Sequence, residues 1–385
     1  MTVTVGDVRA ILDGWYDPAW AESWDSVGLS CGRPEAPVRR ILLAVDVTPV
    51  VVGEAIALEA DLVVTHHPLF LKPVHGVAAD NPKGRMVHDL LTHGIALFNA
   101  HTNADVAELG VNESFARAIG IVDPAPALPE GGAGALDKIT VFVPEPDAER
   151  VRNAMSSAGA GALGSYDSCS FTTPGEGRFR PLSGASPTIG KVGDLETVAE
   201  ARIEMVVERS LRGAVVAAML AAHPYETPAY DVVELANPAP AAPERGHGRI
   251  GSLAEAMTLA EYADFLASRL RPTAHGIRVA GDPDREVSRV VAASGAGDFM
   301  LYDVLGLDVD VYVTSDLRHH RAIEFLEHGG PALIDVAHWA AEWTWLPVLA
   351  DRLRAELAEQ GDTVDVLVSD TVTDAWSLHV DQRDR

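Results

Sequence analysis

Short, wholly apolar runs separated by helix-patterned stretches recur along this chain, and they restrict it to an α/β fold with a mostly parallel sheet covered by helices. The sharpest run lies within residues 61–70, DLVVTHHPLF. Leu62, Val63 and Val64 have the unbroken apolar character of a strand buried on both faces. Pro68 has no amide hydrogen for a ladder and biases His67 away from helix, so the strand stops there. His66 and His67 therefore stand at the C-terminal lip of a buried strand, where open α/β sheets collect ligands. Successive strand side chains point to opposite faces, so one metal held by both rings needs irregular backbone. One imidazole on each of two metals is the simpler arrangement. Taken alone, the dipeptide is equally a pair of loop histidines.

The length, 385 residues, allows two domains and a large core, and 47% hydrophobic with 22% charged residues is ordinary for a globular protein. A formal charge of −26 argues against binding nucleic acid through its backbone, because there is no basic surplus to displace counterions. A nucleotide held in a local pocket beside metal ions stays compatible with that charge. Cys31 and Cys169 are the two cysteines, too few for a disulfide framework or a thiolate cluster. The opening MTVTVGDVRAIL lacks the pattern of a secretory signal, and no apolar run reaches membrane-spanning length. A cytoplasmic protein with no membrane contact is expected.

Helices are expected over 5–13, 49–60 and 82–93, the last closed by Gly94, and strands over 41–47 and 95–99. The WDSVGL stretch between them, 24–29, reads as a structural plug. Two Pro/Ala/Gly-rich stretches, 121–136 and 236–251, have linker composition. Between them the pattern gives a strand at 138–143, a helix at 147–158 and a Gly-rich pair of strands over 166–180. A strand at 201–207, a helix at 211–222 and a strand at 230–235 complete it. That β-α-β-β-α-β order fits a ferredoxin-like insert. The expected domains are 1–136 and 248–385, two halves of one split α/β domain, with 137–247 inserted. The second half reads as helix 259–270, strands 276–280, 287–293 and 309–314, helix 319–328, strand 332–336, one long helix 339–359 and a strand 364–368. Two echoes link the halves: DLVVTHH from residue 61 with DVYVTSD from 310, and GIALFNAH from 94 with GPALIDVAH from 330. A duplicated βαβ pattern accounts for both.

Six of the fourteen histidines lie between His66 and His101 and four between His319 and His338. Imidazole and carboxylate combine at strand ends in HTNAD, His101 to Asp105, and in HWAAE, His338 to Glu342. His338 and Glu342 are four apart where a helix begins, so they share one face. That spacing suits two ligands of one metal or one ligand on each of two neighbours, with Asp105 placed to bridge. Three imidazoles and two carboxylates favour Zn, Mn, Fe or Co. Each motif has a plainer reading: a surface pair for His338 and Glu342, a turn for HTNAD, and an N-cap with a solvated first turn for SDLRHH (315–320). Recurrence at three strand ends of one sheet favours a site.

WDSVGL, THHPLF, HTNAD, SDLRHH and DVAHWAAE together resemble the motifs of the GTP cyclohydrolase 1 type 2 homologue family, also described as dinuclear-metal-centre hexameric proteins. HPYETPAYDV (223–232) is similar to the signature of the extra domain in that family's longer members. The resemblance implies a split α/β domain carrying two divalent ions per subunit, held by His66, His67, Asp105, His338 and Glu342. It also implies a toroidal homohexamer, a trimer of dimers, and an insert related to nitrogen-regulatory and copper-tolerance trimers. The chain departs from the family pattern at Ser315, at Arg318-His319-His320 and at Ala337, which leaves the five ligands intact. The function implied is metal-dependent hydrolysis of a nucleotide or related small molecule, with His101 or His320 moving protons or supporting the ligands. The alternative is a metal-bearing regulatory scaffold that binds a small metabolite without turnover.

Overall fold

The computed structural model describes residues 3–130, 136–163, 166–235, 245–359, 361 and 363–380. The chain divides into two compact units, Met1–Glu130 with Pro243–Arg385, and Gly131–Ala242. In chain order the strands are β1 (Gly28–Cys31), β2 (Arg40–Ala44), β3 (Leu62–Thr65), β4 (Ala96–Asn99), β5 (Ile121–Glu130), β6 (Leu136–Pro144), β7 (Phe171–Phe179) and β8 (Glu196–Glu208). They continue with β9 (Tyr230–Glu234), β10 (Arg245–Thr258), β11 (Arg278–Ala280), β12 (Glu286–Ala296), β13 (Val311–Ser315), β14 (Ala332–Val336) and β15 (Asp365–Val368).

The first unit is mixed α/β, and its parallel strands are shared between two sheets. One has the order β1-β4-β3-β2-β15, the other β11-β14-β13-β12-β10-β5. Read from the β1 and β11 edges, the sheets match. Each begins with a short antiparallel strand, on β4 or β14, and continues in parallel through β3 and β2 or through β13 and β12. The paired echoes in the sequence fall on β3 with β13 and on β4 with β14. The halves also exchange strands: β15 extends the first sheet by pairing with β2, and β5 forms the far edge of the second.

Of the stretches with linker composition, 121–130 and 245–251 are strand, and 131–135 and 236–244 lie outside the described residues. β5 pairs with β10 in antiparallel register, from Ile121 opposite Leu253 to Glu130 opposite Arg245. β5 carries three prolines yet lies at a sheet edge, where only one side of the strand is paired and missing amide donors are tolerated. The single helix expected over 339–359 is two, His338–Trp343 and Trp345–Glu359. Pro347 cannot donate to the carbonyl of Trp343 and its ring crowds that carbonyl, so the helix restarts with the proline in its first turn. Trp345, Leu346, Leu349, Ala350, Leu353 and Leu357 then form a buried stripe against the first sheet.

In the second unit the element order is β6, helix Ala148–Ser157, β7, β8, helix Arg212–Ala222, β9, and the antiparallel sheet runs β7-β8-β6-β9. The Gly-rich pair of strands expected over 166–180 is one strand, β7. Gly177 does not turn the chain there. It makes room for Glu200, whose carboxylate a Cβ at 177 would strike at 2.1 Å. Ile139, Val141, Ile203 and Met205 from the sheet and Val151, Met155, Val215 and Met219 from the helices form this unit's own core.

Candidate metal centre

β3 and β4 end side by side, and their C-terminal extensions carry His66, His67 and His101. The helix Thr102–Val106 brings Asp105 one turn beyond His101. The helix His338–Trp343, which follows β14, brings His338 and Glu342 from the second sheet. Glu342 is 98% buried and meets three imidazoles: its Oε1 lies 2.8 Å from His338 Nε2 and 3.4 Å from His66 Nε2, and its Oε2 lies 3.2 Å from His67 Nε2. Asp105 Oδ1 lies 3.7 Å from His66 Nε2. Glu342 thus holds the central position that the spacing argument gives to Asp105. His66 and His67, though consecutive, reach different oxygens of one carboxylate, with their ring planes tilted by 42°.

Every imidazole in the cluster is held from behind. Nδ1 donates to the Ala100 carbonyl at 3.0 Å in His66, to Asp46 at 2.7 Å in His67, to Asp25 at 2.7 Å in His101 and to Asp316 at 2.7 Å in His338. These partners are oxygens that accept, so the hydrogen sits on Nδ1 and Nε2 is the lone pair aimed into the cluster. In the neutral rings that a metal requires, lone pairs face one another, as at the 3.3 Å separation of His67 Nε2 and His338 Nε2. Asp105 Oδ1 and Glu342 Oε2 are buried without a hydrogen-bond partner among the described residues. Such an array needs positive charge between its acceptors, and a divalent cation fits it. Ligand atoms gather in two groups that share His67: His66, His67 and His101, and His67, His338 and Glu342.

Two further features fit the same purpose. Gly295 has φ +69° at the inner face of the cluster, and a Cβ there would sit 2.9 Å from Glu342 Oε1. Asp316 also takes a left-handed backbone, φ +55°, as it reaches His338. Trp345, wholly buried, packs edge-on to His66 with ring centroids 5.8 Å apart and donates to the Tyr16 hydroxyl.

The electrostatics show the same demand for cations. Burial disfavours charged imidazole, but the Glu342 carboxylate outweighs it, raising His66 and bringing His67 up to about 10 and His338 up to about 11. Burial would likewise raise Glu342, yet His338, His67 and His66 hold it well below the usual carboxylate range. Asp105 moves the other way, raised by burial.

The structure therefore brings together His66, His67, His101, Asp105, His338 and Glu342. His320 is not among them; it is exposed on the first turn of the helix His319–Glu327, with its ring against His319. Asp25 and Asp46 carry no sequence signal of a role at the site. WDSVGL reads as a plug, yet its Asp25 accepts from His101 Nδ1 and from both the amide and the hydroxyl of Thr102. Asp46, at the end of β2, lies 21 residues from its partner His67.

Fold and site together define an α/β protein whose matched sheets deliver a histidine–carboxylate cluster suited to divalent metal. The model of the Duf34/NIF3 (NGG1p interacting factor 3) family matches residues 3–375, and the chain belongs to that family. A Mycobacterium tuberculosis protein named GTP cyclohydrolase 1 type 2 homolog is 46% identical over 386 residues, covering 100% of both chains. A Bacillus subtilis protein of the same name is 37% identical over 368 residues, 96% of each. The crystal structure of a Bacillus cereus protein related to NIF3 superposes on 98% of this chain and 99% of that one, with a TM-score of 0.65 and 34% identity. Among the described residues no helix is long and apolar enough to cross a membrane.

Proposed function

We propose that the protein is a metal-dependent hydrolase acting on a nucleotide or related phosphorylated small molecule at a dinuclear centre. The observation that carries the reading is the convergence of four Nδ1-anchored imidazoles on Glu342 and Asp105, each with one buried oxygen that has no hydrogen-bond partner among the described residues. Two ligand groups sharing one histidine support two ions, of zinc, iron, manganese or cobalt, over one. Divalent ions held there would lower the pKa of water and neutralise charge on a phosphoryl or ring-carbon electrophile. The chain's own residues orient that chemistry: Asp25, Asp46 and Asp316 fix the rings, and Trp345 packs edge-on against His66. Proton movement is assigned to His101 ahead of His320, because His101 packs against His66 and His67 with centroids 5.0 and 5.4 Å away. The name carried by the relatives supports GTP as the first substrate to try.

Elemental mass spectrometry should find two ions per chain in the wild type and fewer in Asp105→Ala. Metal-loaded protein should turn over GTP or another nucleotide faster than His66→Ala, and equal rates would sink the hydrolase reading. A second reading, a regulatory scaffold, is favoured by a cavity of about 720 Å³ in the second unit, between Phe142, Phe179, Leu182 and Tyr225. Saturable metabolite binding without turnover would select it. We read that unit as ferredoxin-like from its strand order. The homohexamer is also a proposal, supported by the exposed Phe171, Leu182, Val192 and Leu195. Analytical ultracentrifugation should return six chains per particle.

A further inference from the structure

A cleft of about 760 Å³ adjoins the metal centre, with His275, Arg278, Asp316, Trp376, Leu378 and His379 in its walls. Asp316 belongs to both places, because it holds His338 through Nδ1. The cleft therefore begins one imidazole away from the cluster.

Its outer wall is the segment that follows β15. Ser369 and Thr371 donate to Glu54 at 2.6 and 2.8 Å, and Thr373 donates to Asp46, the carboxylate that holds His67. The segment is thus pinned to the back of one metal ligand, and three residues later it presents Trp376 at the cleft with 68% of the residue exposed. An indole left in water beside a polar cleft is a platform for a planar ring. Across from it, buried Asp335 fixes two donors: His275 Nε2 lies 2.8 Å from Oδ1 and Arg278 Nη2 lies 2.8 Å from Oδ2. Arg278 remains 59% exposed while so paired, and a guanidinium has five donors, so it can reach a ligand without releasing Asp335.

We propose that this cleft is the subsite for a planar heterocycle, stacked on Trp376 and hydrogen-bonded by Arg278, on a ligand whose phosphate end meets the metals. The assignment rests on the dinuclear reading proposed above. Trp376 is then the specificity-determining residue for the ring, and it has no part in holding the ions.

Isothermal titration of zinc-loaded protein with GTP, ribose 5-phosphate and orthophosphate tests this, with zinc content measured in each sample. Wild type should bind GTP at least about tenfold more tightly than ribose 5-phosphate. Trp376→Ala should lose roughly 5- to 100-fold for GTP, with orthophosphate and ribose 5-phosphate unchanged, and Trp376→Phe should restore most of the loss. Equal GTP affinity in wild type and Trp376→Ala would overturn the assignment, as would a wild type indifferent to the ring. A wild type that takes up no zinc sinks the dinuclear reading instead. Normal zinc and phosphate binding with no contribution from the ring sinks the cleft alone.

Discussion

Glu342 is a carboxylate that three imidazoles approach from different sides, and its charge decides how the cluster answers pH. Its depressed pKa means that, without metal, its contribution to stability is present above the ordinary carboxylate value near about 4.3 and is lost as pH falls through the lower folded value. His67 and His338 act in the opposite sense. Their contributions are complete below about 6.5 and are lost progressively as pH rises toward about 10 and about 11. A metal held there would replace those protons, so its binding should strengthen as pH rises. The thermal midpoints of metal-free and zinc-loaded protein should therefore draw apart from pH 6 to pH 9. Scanning calorimetry across that range checks it, and a gap that narrows with pH would show that the imidazoles do not exchange protons for metal.

At the scale of elements, two short helices do matching work. Thr102–Val106 follows β4 and Helix His338–Trp343 follows β14, and each pairs an imidazole with a carboxylate four residues on, His101 with Asp105 and His338 with Glu342. Each imidazole is anchored by an aspartate from elsewhere, Asp25 or Asp316. Asp316→Asn should weaken metal binding about 10- to 100-fold at the group containing His338, and Asp25→Asn should do so at the group containing His101. Competition against a chromophoric chelator measures both; unchanged affinity in both variants would mean that the rings are oriented by packing alone. The imidazole–carboxylate pairs were legible in the sequence because helical spacing places both groups on one face. The anchors were not, because a contact 76 residues long between His101 and Asp25 depends on where β1 and β4 pair, which no local pattern records.

For the whole molecule, the telling error concerns 121–136 and 236–251, whose prolines and glycines look like linker and whose described residues are largely the paired strands β5 and β10. Composition reports what a segment resists, and an edge strand resists little. Arg249, in the middle of β10, is 1% exposed and donates to the Val106 and Ala107 carbonyls, closing the end of the helix that carries Asp105. Its burial in a stretch of linker composition has no local signature either. These contacts fix where the chain can be cut. Glu130 and Arg245 face one another in the β5–β10 register, so a short turn can join 130 to 243 once 131–242 are deleted. That deletion should keep the metal content of the full chain and nearly the original thermal midpoint of the first unit. Deleting 121–251 instead removes the edge of the second sheet and Arg249 with it, leaving the 106 and 107 carbonyls without their donor. A buried carbonyl left without its donor costs about 1–3 kcal/mol. The longer deletion should therefore lose metal and soluble yield together. Mass spectrometry of both purified proteins decides the matter: equal metal content would mean that β5 and β10 do not support the site.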